Sequence, residues 1–354
     1  MNRYTSAVIA IAATLWLLIQ ARAVLEPFMI ALFIWFLLNA IAATWTRYVH
    51  GPGVAPTRLA RAISGTLFIL TLVLLTLLVA KNADAMRSQI PVYEANLDAM
   101  ISRLASSAGV ESYFSIAELI ARIDLTSIAL QLAGTAASLV SMLMIIIAYI
   151  IFISMESGAA EKKLAAIVSS PGKHAEITKI ARRINHDIET YLGIKVILGV
   201  IQAVPTYVVL SLVGVDAAAF WAVVIFFFSF IPTIGSLVGI VFPSLMALVQ
   251  FETFAPFFIV VGTLAAVQLL ASNYLEPRLM GRSLNLSPLA IFLAIFAGGA
   301  LWGIVGAVII VPLLAVALIV FAQIPSMRPV AILLSGDGEI GPASNAGNAT
   351  ENST

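Results

Sequence analysis

Charge is what this sequence has least of. Only 10% of its 354 residues are Asp, Glu, Lys or Arg, against 61% apolar; a soluble globular chain carries about 25% charged and roughly 45–50% apolar residues. There is too little charge to coat a water-facing surface of this size. A soluble enzyme, a nucleic-acid binder and a disordered chain are thereby excluded, and an integral membrane protein remains. Cysteine is absent altogether, which removes disulfides, thiolate metal sites, iron–sulfur clusters and cysteine nucleophiles together. Histidine is confined to His50, His174 and His186, so no histidine-rich metal constellation is available; His186 with Glu189 is one histidine and one carboxylate, which does not make a site. A formal net charge of +1 leaves no basic excess for a polyanion. No Ser/His or paired-Asp constellation falls within the apolar spans, and no nucleotide motif occurs, so neither catalytic residues nor a cofactor nor direct use of ATP is expected.

What is present is long apolar runs. A helix rises about 1.5 Å per residue and the hydrocarbon core is about 30 Å thick, so a span takes about 20 apolar residues. Eight stretches qualify in outline: 5–20, 24–45, 63–80, 128–153, 191–213, 217–250, 255–272 and 286–320. No ten-residue alternation marks a membrane β-barrel, so an all-α, polytopic helical bundle is expected. Arg3 ahead of the first run and Ala21-Arg22-Ala23 after it fit a cleavable signal peptide. Apolar character resumes at once at Val24, which favours a helix paired with the next one.

The charges that exist alternate in placement. Segment 46–62 holds Arg47, Arg58 and Arg61 and no acid; 81–127 holds four Lys/Arg and six Asp/Glu; 154–190 holds six Lys/Arg. By the positive-inside rule these face inside, outside and inside, with a cytoplasmic N-terminus. The division of the chain that follows is 1–80 N-terminal membrane helices, 81–127 an extracytoplasmic helical segment, 128–153 a membrane helix, 154–190 a cytoplasmic amphipathic segment, 191–325 a transport core, and 326–354 a disordered tail. Tyr93, Leu97, Met100, Ile101 and Leu104 fall on one helical face, and Ile116, Leu119, Ile120 and Ile123 on another. Ile177, Ile180, Ala181, Ile184, Ile188 and Tyr191 form a stripe running into the fifth span, after a break at Pro171-Gly172. Arg183 and Asp187, four apart, are placed to pair.

Two stretches have the wrong length. Residues 217–250 and 286–320, with 34 and 35 residues, carry no charge; as single helices they would be about 50 Å long. Each suits a hairpin of two short helices entering and leaving on one side, with breaks expected at Phe230-Ile231-Pro232-Thr233-Ile234-Gly235 and at Ala297-Gly298-Gly299-Ala300. Shifting by 67 places Pro232 on Gly299 and Gly239 on Gly306, and Ile240-Val241-Phe242-Pro243 reads like Ile309-Ile310-Val311-Pro312. With 255–272 crossing between them, the two form an inverted arrangement of re-entrant hairpins, as secondary transporters use. Two ordinary kinked helix pairs are the alternative. Between them, 272–288 reads as a linker. Pro277 is expected to force Glu276 out of helix, Ser287-Pro288 to start the next helix, and Glu276, Arg278 and Arg282 either to act as a gate or to pair among themselves to fix the turn. Arg22 and Glu26, Asp216 and Glu252 are read as interface markers.

Three motifs carry a resemblance: Phe230-Ile231-Pro232-x-x-Gly235; Leu275-Glu276-Pro277-Arg278-x-x-Gly281-Arg282-Ser283-Leu284 with Leu286-Ser287-Pro288; and Gly298-Gly299-Ala300-Leu301-Trp302-Gly303-x-x-Gly306-Ala307 ending at Pro312. In order and spacing the sequence resembles the autoinducer-2 exporter family of bacterial inner-membrane proteins over roughly 5–325, including Glu26-Pro27-Phe28. Ser236 stands where that family often has proline, and Asn285 where glycine is common. The resemblance implies export of a small polar molecule such as a furanosyl signalling compound, an elevator-like movement, and a homopentamer. It also leaves open a sodium or lithium/proton antiporter, which needs a titratable carboxylate at depth; Asp216, Glu252 and Glu276 all fall near an interface in this topology. A scaffold with no transport is the third class. For an exporter, the polar groups expected at the substrate are Gln202, Ser229, Thr233, Ser236, Gln268 and Asn273. Pro232, Gly235, Gly298 and Gly299 would shape the hairpins and let backbones approach. The expected partners are a small-molecule substrate, the bilayer and further copies of the chain, with no nucleic acid.

Overall fold

The structure, a computed structural model, describes residues 3–50, 125–168, 170–232, 234–280 and 285–339, with scattered positions between 63 and 99. The paired faces expected over 97–123 lie outside the described residues. Those described are helical, in two compact units. One comprises 1–47, 144–192 and 282–354, the other 48–143 and 193–281.

In chain order the helices are α1 Arg3–Gln20, α2 Arg22–His50, α3 Leu125–Ile167, α4 Pro171–Val213, α5 Ala218–Phe228, α6 Ile234–Gln250 and α7 Phe254–Leu270. A π-turn, Ala271–Leu275, then leads into α8, Glu276–Met280, followed by α9 Pro288–Gln323 and, after a 3₁₀ turn, α10 Arg328–Leu334. Among the described residues five helical segments are long and apolar enough to cross a membrane: Arg22–Ala43, Met142–Ala160, Gly172–Val213, Phe254–Met280 and Pro288–Gln323. α4 starts with Pro171 at its first position and runs without interruption through the apolar stripe into the fifth span. Arg183 and Asp187 do pair on it, at 3.6 Å.

Within the second unit, α4 ends where Gly214 adopts φ 83°. The N–H groups of Gly214 and Val215 both donate to the Leu210 carbonyl, at 3.0 and 2.8 Å, a left-handed glycine cap that satisfies a carbonyl the helix would leave bare. The turn delivers Val215 into a core with Leu210, Met246, Ala247, Val260 and Leu264, all buried. The chain then forms a helical hairpin, α5 running up and α6 back. Trp221 stacks on Phe242 with ring centroids 6.4 Å apart, and Ile225 lies against Gly239. The break between the arms falls where proline and glycine place it. A Cβ on Gly235 would stand 2.0 Å from the Phe228 carbonyl oxygen, so only glycine closes this turn.

In the first unit, α9 also turns back, but not at the expected place. Ala297–Ala300 is helical. The non-helical residues are Trp302 (φ −134°, ψ 22°) and Gly303 (φ 64°, ψ −145°). The glycine is there because its backbone lies in a region closed to residues with a Cβ. Past that point the two arms touch through backbone: a Cβ on Gly298 would lie 2.6 Å from the Gly306 carbonyl oxygen, and one on Gly306 2.0 Å from that of Gly298. Eight residues along an uninterrupted helix would hold these groups about 12 Å apart. Gly298 is therefore a contact glycine and not a hinge, and Gly299 meets nothing within 4 Å.

Two further expectations need correction. The linker expected over 272–288 is helical as far as Met280, and Glu276 keeps helical angles (φ −60°, ψ −50°). The π-turn widens the helix just ahead of Pro277, so the ring does not have to expel its predecessor from the helix. Residues 326–334, assigned to the tail, form a 3₁₀ turn and α10. Their end is tied to the start of α9 by a bridge between Leu286 and Ser335 and by Asn285, whose Nδ2 donates to Asp337 Oδ1 at 2.7 Å. Ser287 does sit ahead of Pro288, but its side chain caps nothing.

Candidate functional site

The polar groups of the second unit collect along one face of α4. Lys195, Gln202 and Thr206 are buried there, at spacings of seven and four that keep them on one side of a helix. That face meets the hairpin break. A Cβ on Gly199 would lie 2.8 Å from the Phe226 ring and 2.9 Å from Ser229 Oγ, so glycine at this position brings α4 and the hairpin together one turn from Lys195.

Lys195 is the centre of the arrangement. Its side chain is 1% exposed. Nζ donates to Glu276 Oε1 at 2.6 Å and to the Ser229 carbonyl oxygen at 3.2 Å. That carbonyl belongs to the residue that closes α5, where helix carbonyls lack partners and carry partial negative charge. Ser229 turns its own hydroxyl back onto the Phe226 carbonyl, at 2.7 Å. Glu276, the first residue after the π-turn, is 24% exposed at its side chain, so the carboxylate has a wet edge and the ammonium does not. The junction ties α4, the first hairpin and α8 through one cation. Beside it, Ser236 at the start of α6 shares a 2.9 Å hydrogen bond with Ser272 in the π-turn.

Gln268, one helix face away on α7, is 1% exposed, and neither of its amide atoms has a hydrogen-bond partner. Its Nε2 would be 2.8 Å from a Cβ on Gly239, so a glycine in α6 makes the room. An amide left unpaired in a dry interior costs about 1–3 kcal/mol.

Not every expected residue belongs to this cluster. Asn273 is exposed on the π-turn, and Arg278 is exposed as well. Arg278 Nη1 donates to the Tyr274 hydroxyl, and its guanidinium lies 5.0 Å from the centre of that ring. The partner of Glu276 is thus Lys195 and not Arg278. Thr233 and Arg282 lie outside the described residues, and Gly298 and Gly299 belong to the other unit. Among the described residues no cluster of His, Cys, Asp and Glu is suited to a metal ion. Lys195 was missed from sequence, although it is the sole Asp, Glu, Lys or Arg from Thr190 to Val215; a lone charge in an apolar span is a site candidate in its own right.

At the far end of α4 a second polar group fastens the hairpin's base. The Gln250 side chain accepts from the Asp216 N–H at 2.7 Å and donates to the Gly214 carbonyl at 2.8 Å. The Tyr93 hydroxyl donates to Asp216 Oδ2 at 2.7 Å, and Asn96 Nδ2 to the Gln250 carbonyl at 2.8 Å. Burial first, and then the bond to Asp216 and its charge, push the Tyr93 hydroxyl well above the ordinary phenol range.

Several apolar helices of spanning length, broken helices, and a buried ion pair at a hairpin break define a multi-pass α-helical membrane protein. The model of the AI-2E family transporters matches residues 6–326. The chain belongs to that family, and it is a transporter and not an enzyme. It is 26% identical to the AI-2 transport protein TqsA of Escherichia coli K12 over 323 residues, 89% of this chain and 90% of that one. Two proteins that each bear the name "Putative transport protein" are also similar. The one from Haemophilus influenzae Rd is 28% identical over 329 residues, 90% of this chain and 92% of its own. The one from Borreliella burgdorferi is 32% identical over 156 residues, which span 42% of that protein.

Proposed function

We propose that the protein is a secondary transporter that exports a small, uncharged polar molecule, of the kind autoinducer-2 represents, across a bacterial inner membrane. The observation that carries this is the polar interior of the second unit. Gln202, Ser229, Ser236 and Gln268 lie within an otherwise apolar helical body, with a glutamine amide in want of hydrogen bonds. Hydroxyl-bearing solutes supply such bonds, and a neutral solute leaves no uncompensated charge in a dry site. The similarity to TqsA, which is named for AI-2 transport, points to the same class of cargo. In this reading Pro232 and Gly235 hold the hairpin tip, Glu276 acts as the gating or coupling carboxylate, and Thr233 adds a further hydroxyl. The two hairpins, 217–250 and 286–320, are re-entrant. Gly298 keeps the arms of the second in contact, and the movement is elevator-like. The N-terminus is cytoplasmic, and the assembly is a homopentamer, to be read as the mass of the intact complex in detergent.

The test is efflux. Inverted vesicles or proteoliposomes holding the full chain accumulate autoinducer-2, and Pro232→Ala and Glu276→Gln each reduce the rate. If both variants transport like the parent, the site is misplaced. If the parent moves none, the cargo is wrong. The buried Lys195–Glu276 pair favours one second reading, sodium or lithium/proton antiport, which would show as a proton signal from the parent on addition of either cation.

A further inference from the structure

Lys195 is chemically out of place on an apolar helix. An ammonium removed from water is costly unless an opposite charge and further acceptors meet it. Here they do: the Glu276 carboxylate stands at 2.6 Å and the Ser229 carbonyl at 3.2 Å. Other described groups near the carboxylate add little charge. From α4 comes Lys195 itself, and the hairpin break offers a neutral carbonyl. On Glu276's own helix the next cation is Arg278, which is exposed and engaged with Tyr274. Six apolar residues, 196–201, separate Lys195 from Gln202, and the buried polar side chains Gln202 and Thr206 on this face, with Gln268 on α7, are uncharged. Among the described groups at this junction, the Lys195 ammonium balances the Glu276 carboxylate.

We infer that Lys195 sets the charge class of the cargo. It cancels Glu276, so that the site accepts uncharged, hydroxyl-bearing solutes and moves them without a compensating ion. Glu276 has a wet edge and Lys195 has none, so a cation from solution would reach the carboxylate first; the ammonium already occupies its Oε1. Removing Lys195 alone turns the same carboxylate into a cation and proton site. Removing Glu276 alone leaves an ammonium that draws an anion. The inference rests on the reading that the chain transports a small polar molecule, and it goes beyond that reading in assigning the choice between neutral and ionic cargo to one side chain.

The experiment uses the full chain in proteoliposomes, with a pH-sensitive dye inside and membrane currents recorded on a solid support. In the parent, a pulse of autoinducer-2 gives flux without current, and sodium or lithium pulses give no proton signal. Lys195→Gln lowers the neutral flux by about tenfold or more and gains a sodium- or lithium-driven proton signal. Lys195→Arg, which keeps the charge, gains none. The double variant Lys195→Gln with Glu276→Gln loses the cation signal again and recovers part of the neutral flux. Should Lys195→Gln fail to fold, Glu276→Gln makes the same test from the other side, as a new current on chloride pulses. A cation-driven proton signal in the parent overturns the inference, because the pair would then be the coupling element and not a neutraliser. A folded Lys195→Gln with no cation response, or with parental flux, overturns it too. A parent that moves no autoinducer-2 sinks the cargo reading, while the cation pulses still judge Lys195.

Discussion

Gln268, proposed above to meet the cargo, is a poor residue for stability. Its amide is buried without partners, and an apolar side chain of similar size would remove that penalty. Gln268→Leu should therefore raise the stability of the purified protein by about 1–3 kcal/mol while autoinducer-2 efflux falls; a thermal melt and a vesicle assay on the same preparation read both. Tyr93 is the reverse case, a fastening with a pH signature. The folded protein holds the Tyr93 proton more tightly than the unfolded chain does. Its contribution is therefore complete below about pH 10 and drains away as the pH climbs beyond, since the unfolded chain releases that proton first. Tyr93→Phe should cost about 1–2 kcal/mol near neutral pH and flatten part of the alkaline fall in Tm. A melt series showing the same alkaline slope in both proteins would assign the slope to other groups.

Among the elements, the two hairpins differ in what the sequence reveals. The first is plain because Pro232 and Gly235 sit at the turn itself, where the Phe228 carbonyl leaves no room for a Cβ on residue 235. The second misleads. Gly298-Gly299 reads as a hinge, yet small residues in membrane helices also serve close packing, and the reversal falls at Trp302-Gly303. The contrast yields a prediction within one helix. Gly306→Ala forces a methyl group to within 2.0 Å of a carbonyl oxygen and should cost about 1–3 kcal/mol. Gly299→Ala meets nothing within 4 Å and should be neutral or stabilising by about 0.5–1 kcal/mol. Equal melting temperatures for the two variants would mean that the arms do not touch there. α8 misled for a related reason: the rule that proline expels its predecessor from helix assumes a regular turn before it, and a π-turn is invisible to propensity.

For the whole molecule, the scarcity of charge was enough to establish a helical membrane protein. Each of the five candidate spans among the described residues overlaps a stretch read from run length, the one expected at 128–153 being displaced to Met142–Ala160, while nearly all of 63–80 lies outside the described residues. What stayed hidden was pairing across the chain. Lys195 and Glu276 are separated by 80 intervening residues, 196–275, and nothing local to either position announces the other. The division into two units was hidden as well. It follows no linker at three of its four crossings: the boundaries after Arg47, Leu143 and Leu192 all fall inside helices. Continuous helices do not show a boundary as a change in composition, which is why a reading by composition divided this chain at its loops instead.

The π-turn before Glu276 amounts to a one-residue insertion in an otherwise regular rod. Losing any single residue of Ala271–Leu275 would leave ordinary α-helix throughout and rotate everything beyond it by about 100°. The carboxylate would then swing off the α4 side without the helix ever unwinding. Lineages that gain or lose a residue within 271–274 would differ in which helix Glu276 faces while keeping the Leu275-Glu276-Pro277-Arg278 run intact.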